Sequence, residues 1–242
     1  MLPSNPPERV ALLGLGPSLE AYQDVAKRLG SRRAFFDEVW GINAAIDVFN
    51  CDLGFHMDDV RVQEARAAAK PDSNIAAMLP WLRAHPGPIF TSVPHPAYPG
   101  LVPFPLADVM KACGGVAYFN STAAYAVAYA VAIGVKRLTL FGCDFSYANS
   151  HQAEKGRGCV EFYLGMFKAR GGIIGLPSGT SLMDGTATNN ERLYGYDGMD
   201  VEFDGDGDEL EVKMTPIPLP TAEEIEARYD HSQPTVKNAK EG

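Results

Sequence analysis

An apolar run that stops in a glycine-rich turn is the feature that most constrains this chain. Residues 10–13 have the composition of a buried strand, Gly14 and Gly16 follow, and Ser18 opens a helical pattern that runs to about Leu29. Glycine lets a backbone turn tightly and approach a ligand, and serine commonly caps a helix. Because a helix N-terminus presents unpaired N–H groups and partial positive charge, the turn predicts an anion-binding strand–loop–helix.

The same turn lacks part of the dinucleotide fingerprint. A third glycine is required further along, and Leu19 and Glu20 do not supply it, so ordinary NAD binding is not indicated. The alternative to an anion site is an ordinary strand-to-helix turn without a ligand.

Strand and helix patterns alternate after the turn. Further strands are predicted at residues 38–42, 53–57, 88–93, 116–119, 137–142 and 172–175. The alanine-rich segment 123–133 is predicted to be a helix that lies flat against the sheet. This alternation predicts an α/β fold of the Rossmann-like, doubly wound type, with a mostly parallel sheet and helices on both faces.

Polar residues follow several of the predicted strands and precede the alanine-rich helix. In a parallel sheet, ligands bind beyond the carboxyl ends of the strands, so these residues are predicted to line one crevice. The candidates are Gly14, Gly16, Pro17, Ser18, Asn43, Asp58, Asp59, Ser121, Thr122 and Asp144. All except Asp58, Asp59 and Asp144 are predicted to bind a nucleotide.

A predicted loop over residues 148–158 carries His151, Lys155 and Arg157. Loops of this length inside compact domains are usually functional or mobile. An imidazole that titrates near neutrality can accept a proton from a hydroxyl group, and the two cations can balance the charge of a leaving phosphate. The alternative is that all three side chains are solvated surface groups.

The chain is predicted to have four segments. Residues 1–9 form a flexible N-terminus, 10–185 a Rossmann-like nucleotide-binding domain, 186–228 a β-hairpin appendage with an acidic turn, and 229–242 a disordered tail. The aspartates of the hairpin turn do not match a calcium loop, because glycine is absent from its sixth position and glutamate from its twelfth.

Charge and cysteine usage narrow the class of protein. A net charge of −9 and a pI near 5.0 argue against a surface that binds duplex nucleic acid. The sequence has no apolar run long enough to span a bilayer, and its first residues are not those of a signal peptide. Its four cysteines form no C-x-x-C pair, so neither zinc nor disulfides are predicted. We therefore expect a cytoplasmic protein, with homo-oligomers as an open alternative.

Several of these motifs resemble a known superfamily. Residues 14–19, 57–59 and 141–147, followed by His151, are similar to the Rossmann-like proteins called domain of unknown function 115. That group includes archaeal-type 6-hydroxymethylpterin diphosphokinases and motility accessory factors that modify flagellin. The chain is also similar to the family 42 bacterial sialyltransferases, which share patterns like residues 123–133 and Pro177-Ser178. The resemblance covers about residues 10–184.

The sialyltransferase resemblance implies the leading hypothesis, a glycosyltransferase that uses a sialic-acid-like (nonulosonic) sugar activated by cytidine monophosphate (CMP). Gly14, Gly16, Pro17 and Ser18 would then bind the nucleotide. His151 is the approximate match to the general base of that family, and Asp144 is a second catalytic candidate. No metal is implied. The expected partners are a nucleotide or nucleotide-sugar donor and a small-molecule or glycan acceptor.

Two alternatives remain open. The diphosphokinase resemblance implies transfer of pyrophosphate from ATP to a pterin-like alcohol, with Mg²⁺ held by Asp58 and with Asp144 across the crevice. In that reading Asp59 caps the next helix and His56 is packed rather than ligating. The other alternative is a nucleotide-binding or assembly module that has the fold without the chemistry.

Overall fold

The computed structural model describes residues 2–31, 35–146, 150–184, 192–205 and 209–227. The chain divides into two compact units, Met1–Thr186 and Ala187–Gly242, which we call the sheet unit and the hairpin unit. The predicted disordered tail, residues 229–242, lies outside the described residues.

The described part of the sheet unit contains a parallel sheet of seven strands, which confirms the predicted α/β fold class. The strands are β1 (Arg9–Leu13), β2 (Glu38–Ile42), β3 (Leu53–Phe55), β4 (Ile89–Thr91), β5 (Leu101–Pro103), β6 (Arg137–Phe141) and β7 (Ile173–Gly175). Their order across the sheet is β5-β4-β3-β2-β1-β6-β7, and every neighbouring pair is parallel.

Helices cover both faces of this sheet. They are α1 (Leu19–Leu29), α2 (Ala45–Val48), α3 (Val60–Ala69), α4 (Asn74–Ala84), α5 (Leu106–Ala112), α6 (Thr122–Ile133) and α7 (Ser150–Ala169). Alternate residues of β1 enter different cores: Val10 and Leu12 pack with α6 and α7, whereas Ala11 and Leu13 pack with α1 and α2. Both faces are buried, as expected for a parallel sheet, and the strands read as continuous apolar runs for that reason.

Two predictions from the sequence are wrong, one for a strand and one for the N-terminal segment. Residues 116–119 are not a strand. The Phe119 ring stacks on Tyr125 and Tyr163 instead, with centroids 4.4 and 5.1 Å apart, so aromatic packing rather than strand pairing explains the apolar composition. At the N-terminus, β1 begins at Arg9, inside the segment predicted to be flexible, and Leu2 packs against the core.

The predicted loop over residues 148–158 is also wrong for most of its length, because α7 begins at Ser150. Gly156 and Gly158 lie within this helix, although glycine is unfavourable in a helix interior. In the structure a Cβ on Gly156 would lie 2.6 Å from the Phe145 ring, and one on Gly158 would lie 2.9 Å from the Tyr118 hydroxyl. These glycines therefore let a helix pass close to its neighbours.

The hairpin unit contains the predicted antiparallel hairpin, formed by β8 (Met199–Asp204) and β9 (Glu211–Pro216). One face pairs apolar residues, for example Val201 with Met214, and the other pairs polar residues, for example Glu202 with Lys213. A short helix α8 (Ala222–Glu226) follows, with a capping box between Thr221 and Glu224. No helix in the described ranges is long and apolar enough to cross a membrane.

Candidate functional site

A cleft opens where the sheet reverses its strand order. The chain proceeds from β1 to β2 on one side and reaches β6 on the other, so the strand order reverses at β1. Such a switch point is where ligands bind in open α/β sheets. The cleft has a volume of about 460 Å³ and is lined by residues 14–17, 42–44, 121–123 and 142–146.

The structure brings together most of the predicted nucleotide-binding residues. Those that line the cleft are Gly14, Gly16, Pro17, Asn43, Ser121 and Thr122, together with Asp144. The lining does not include Ser18, Asp58, His151, Lys155 or Arg157. Ser18 and Arg157 make hydrogen bonds elsewhere, which are described below, and Asp58, His151 and Lys155 are exposed.

Ser18 does not cap α1 as predicted. Its backbone is helical and its side chain accepts no capping hydrogen bond. Instead, the Ser18 hydroxyl donates to Asp144 Oδ1 and accepts from the Gly142 N–H at 2.8 Å. The Ser18 N–H donates to Asp144 Oδ2 at 2.7 Å. Asp144 is only 4% exposed, so a buried carboxylate already occupies the anion position at the start of α1.

Gly14 and Gly16 bring two loops together. The Gly14 N–H donates to Phe141 O and the Gly16 N–H donates to Gly142 O, both at 2.8 Å. A Cβ on Gly16 would lie 2.6 Å from Asp144 Oδ2. The sequence predicted that these glycines let the backbone approach a ligand. In the structure, the space beside them is filled by the loop after β6.

The start of α6 is the helix N-terminus that faces the cleft. Ser121 caps this helix, as expected for a serine that precedes a helical segment, and its Oγ accepts from the Ala124 N–H at 3.3 Å. Thr122 and Ala123 line the cleft within the first turn. The first N–H groups of a helix have no partner inside it, so α6 directs donors and partial positive charge into the cleft.

The predicted cations lie on α7, away from the cleft lining. The Arg157 guanidinium donates to Glu161 Oε1 at 2.8 Å and to Asp184 Oδ1 at 2.7 Å, and these carboxylates raise the pKa of Arg157. Lys155 and His151 are exposed. Within the described ranges, no lysine, arginine or histidine side chain lines the cleft.

The two carboxylates after β3 have different surroundings. Asp59 caps α3 as predicted: its Oδ1 accepts from the Arg61 N–H at 3.0 Å. The Arg61 guanidinium lowers the pKa of Asp59 to about 2. Asp58 is exposed and outside the cleft lining. In the part of the chain that the structure describes, no cluster of three metal-ligating side chains is present.

Two side chains of the site were missed or undervalued in the sequence. His56, predicted to be packed, is fully buried, and burial lowers its pKa. Its Nδ1 lies 3.1 Å from Asn43 Oδ1 and its Nε2 lies 2.9 Å from Oε1 of Gln63, which no motif singled out. Asn43 itself has a left-handed backbone, with φ of 51°. Asn43 is thus tied to buried side chains behind the cleft.

Cys143 also lines the cleft, and its side chain is buried. Burial raises the pKa of its thiol to about 12, so the thiol stays protonated near neutrality.

Comparison of this chain with family models, with curated proteins and with solved structures finds no match.

Proposed function

We propose that this protein is a nucleotide-binding transferase that takes its donor in the cleft at the switch point. The observation that carries the proposal is the position of this cavity, at the carboxyl ends of β1, β2 and β6, with the start of α6 directed into it. A cavity of about 460 Å³ lies within the usual size range of small-molecule sites.

The charges of the cleft favour a donor that carries one phosphate. A nucleoside triphosphate with Mg²⁺ needs carboxylate ligands for the metal and cations for the phosphates. Asp144 is the one carboxylate in the described lining, and Ser18 already binds both of its oxygens. A single phosphodiester charge can be matched by the start of α6 and the hydroxyls of Ser121 and Thr122. This supports a CMP-activated sugar, such as the nonulosonic sugar implied by the resemblance, without a metal cofactor.

In the proposed reaction, an acceptor hydroxyl attacks the anomeric carbon of the sugar. The bond between that carbon and the phosphate oxygen breaks, and the nucleoside monophosphate leaves. The resemblance assigns the general base to His151, in the first turn of α7 and outside the described cleft lining, where it would take the proton from the acceptor hydroxyl. Its exposure leaves the imidazole open to an incoming acceptor.

The second candidate is a nucleotide-binding module without chemistry. One observation favours this module. Two side chains of the described cleft lining that could take part in chemistry are not free to do so, because Asp144 accepts hydrogen bonds from Ser18 and the Cys143 thiol stays protonated. The diphosphokinase alternative has less support, because the described cleft lining offers one carboxylate, Asp144, and no cation for Mg²⁺ and a triphosphate; Asp58, like His151, lies outside that lining.

The test is a thermal-shift screen of the full chain against CMP, AMP and ATP, each with Mg²⁺ and with a chelator. A ligand that binds only the folded state raises the melting temperature. We expect CMP to raise it in the presence of the chelator. A shift by ATP that requires Mg²⁺ would favour the diphosphokinase, and no shift by any nucleotide would overturn the proposal.

Two variants locate the site and the base. Thr122→Ala should weaken CMP binding by about tenfold, the equivalent of one hydrogen bond to a charged group, while the control Thr215→Ala, on the exposed strand β9, should not. His151→Ala should keep CMP binding and abolish sugar transfer. A His151→Ala protein with unchanged turnover would remove the histidine from the mechanism.

A further inference from the structure

The buried ring of His56 lies between two amide side chains, and one of them reaches the cleft. His56 follows β3 and is 0% exposed. Asn43 Oδ1 lies 3.1 Å from one ring nitrogen, and Gln63 Oε1, on α3, lies 2.9 Å from the other. Asn43 lines the cleft, whereas Gln63 is buried and does not. A contiguous chain of hydrogen-bonding groups therefore joins α3 to the ligand cavity.

The two amides cannot be oriented independently. A neutral imidazole has one N–H donor and one lone-pair acceptor. The ring is 0% exposed and both of its hydrogen-bond partners are neutral amides, so a charged ring would be buried without a bonded counter-ion; burial also lowers the pKa of His56. With one proton on the ring, one neighbouring amide presents its oxygen and the other its NH₂ group. The orientation of the Gln63 amide therefore determines which group of Asn43 remains for the cleft.

We propose that Gln63 and His56 are positioning residues that hold the Asn43 amide with its oxygen on His56 Nδ1–H and its NH₂ group directed at the ligand. A neutral ring cannot donate to the oxygens of both amides, so the Gln63 amide is rotated to present its NH₂ group in place of Oε1, and this group donates to Nε2. This orientation rests on the proposed function: the start of α6 supplies donors for an anionic ligand, and an Asn43 oxygen in the same cavity would repel that ligand. The NH₂ group of Asn43 therefore favours a nucleotide that places a hydrogen-bond acceptor next to that group.

The location of the ring proton tests this arrangement without any ligand. Long-range ¹H–¹⁵N NMR on the full chain, labelled at its five histidines, distinguishes a protonated from an unprotonated ring nitrogen. The His56 signals are assigned as those that shift in Asn43→Gly, and Gln63→Met provides a second assignment where it folds. Glycine suits the left-handed backbone at position 43, so the first variant should fold even if the second does not. We expect a proton on Nδ1 and none on Nε2; a proton on Nε2, alone or together with Nδ1, overturns the proposal.

Affinity tests the consequence for the ligand. Gln63→Met should weaken CMP binding by about tenfold, and the control Gln23→Met, on the exposed face of α1, should have no effect. Asn43→Gly should cost a similar factor, and the double variant Asn43→Gly/Gln63→Met should cost little more than either, because both changes remove one interaction. Additive losses would show that Gln63 affects the ligand independently of Asn43 and would overturn the proposal. If no nucleotide binds the wild-type chain, the proposed function fails, and the NMR result still decides the ring arrangement.

Discussion

Asp144 occupies the place at the start of α1 where a bound phosphate is found in many strand–loop–helix turns. Both of its oxygens accept hydrogen bonds from Ser18, and charge-assisted bonds of this kind are stronger than neutral ones. A phosphate at this position would have to displace a buried carboxylate. The anion of a ligand is therefore expected at the start of α6, which also lines the cleft.

We expect Asp144→Asn to lower the free energy of unfolding by about 2–4 kcal/mol, as breaking a buried network of charged hydrogen bonds does. Asparagine keeps one oxygen, so its NH₂ group would face either the N–H or the hydroxyl of Ser18. Urea unfolding measures the change. The matched control is Asp24→Asn, on the exposed side of α1, which should change stability by less than about 0.5 kcal/mol. Equal stability of the two variants would contradict the role given to the carboxylate.

At the scale of the element, α7 contains glycines with opposite environments. A Cβ on Gly156 would lie 2.6 Å from the buried ring of Phe145, whereas a Cβ on Gly165 would meet nothing within 4 Å. Gly165→Ala should raise the free energy of unfolding by about 0.5–1 kcal/mol, because alanine loses less backbone entropy in a helix. Gly156→Ala should lower it by about 1–3 kcal/mol through overpacking.

Both α7 variants are measured by the same urea unfolding, and each serves as the control for the other. Two stabilising substitutions would show that α7 does not pass close to Phe145. Two destabilising ones would show that residue 165 is not on an open helix face.

The sequence predicted those strands and helices that have a clear hydrophobic or alanine-rich pattern in their own residues. The apolar runs of β1 and β6 and the alanine-rich pattern of α6 were sufficient, and the strand ends that line the cleft followed from them. Elements that depend on distant partners were not predictable. The helical turns around Gly156 depend on the Phe145 ring, and Arg157 pairs with Asp184, 27 residues further along the chain. Local patterns also gave no indication that Asp144 would bind Ser18, because 126 residues separate them.

At the scale of the whole molecule, the apolar clusters of the described residues belong to the sheet unit. One lies between the sheet and α6 and α7, a second lies against α1, and a third joins α3 and α4. In the hairpin unit, every residue of β9 is exposed. A two-stranded hairpin is marginally stable by itself. If the two units are expressed separately, we expect the sheet unit to fold and the hairpin unit to be marginally stable.

We therefore expect residues 1–186 alone to unfold cooperatively in urea, at the same midpoint as the main transition of the full chain, because the three apolar clusters are retained. The control is a chain of residues 1–170, which lacks β7 and so leaves β6 as an edge strand paired with β1 alone. This shorter chain should unfold at lower urea, because the edge of the main cluster, including Ile174 and Leu176, is removed. Circular dichroism measures both transitions. A lower midpoint for residues 1–186 would mean that the hairpin unit contributes to the stability of the sheet unit, and equal midpoints for both truncated chains would mean that β7 contributes nothing to the core.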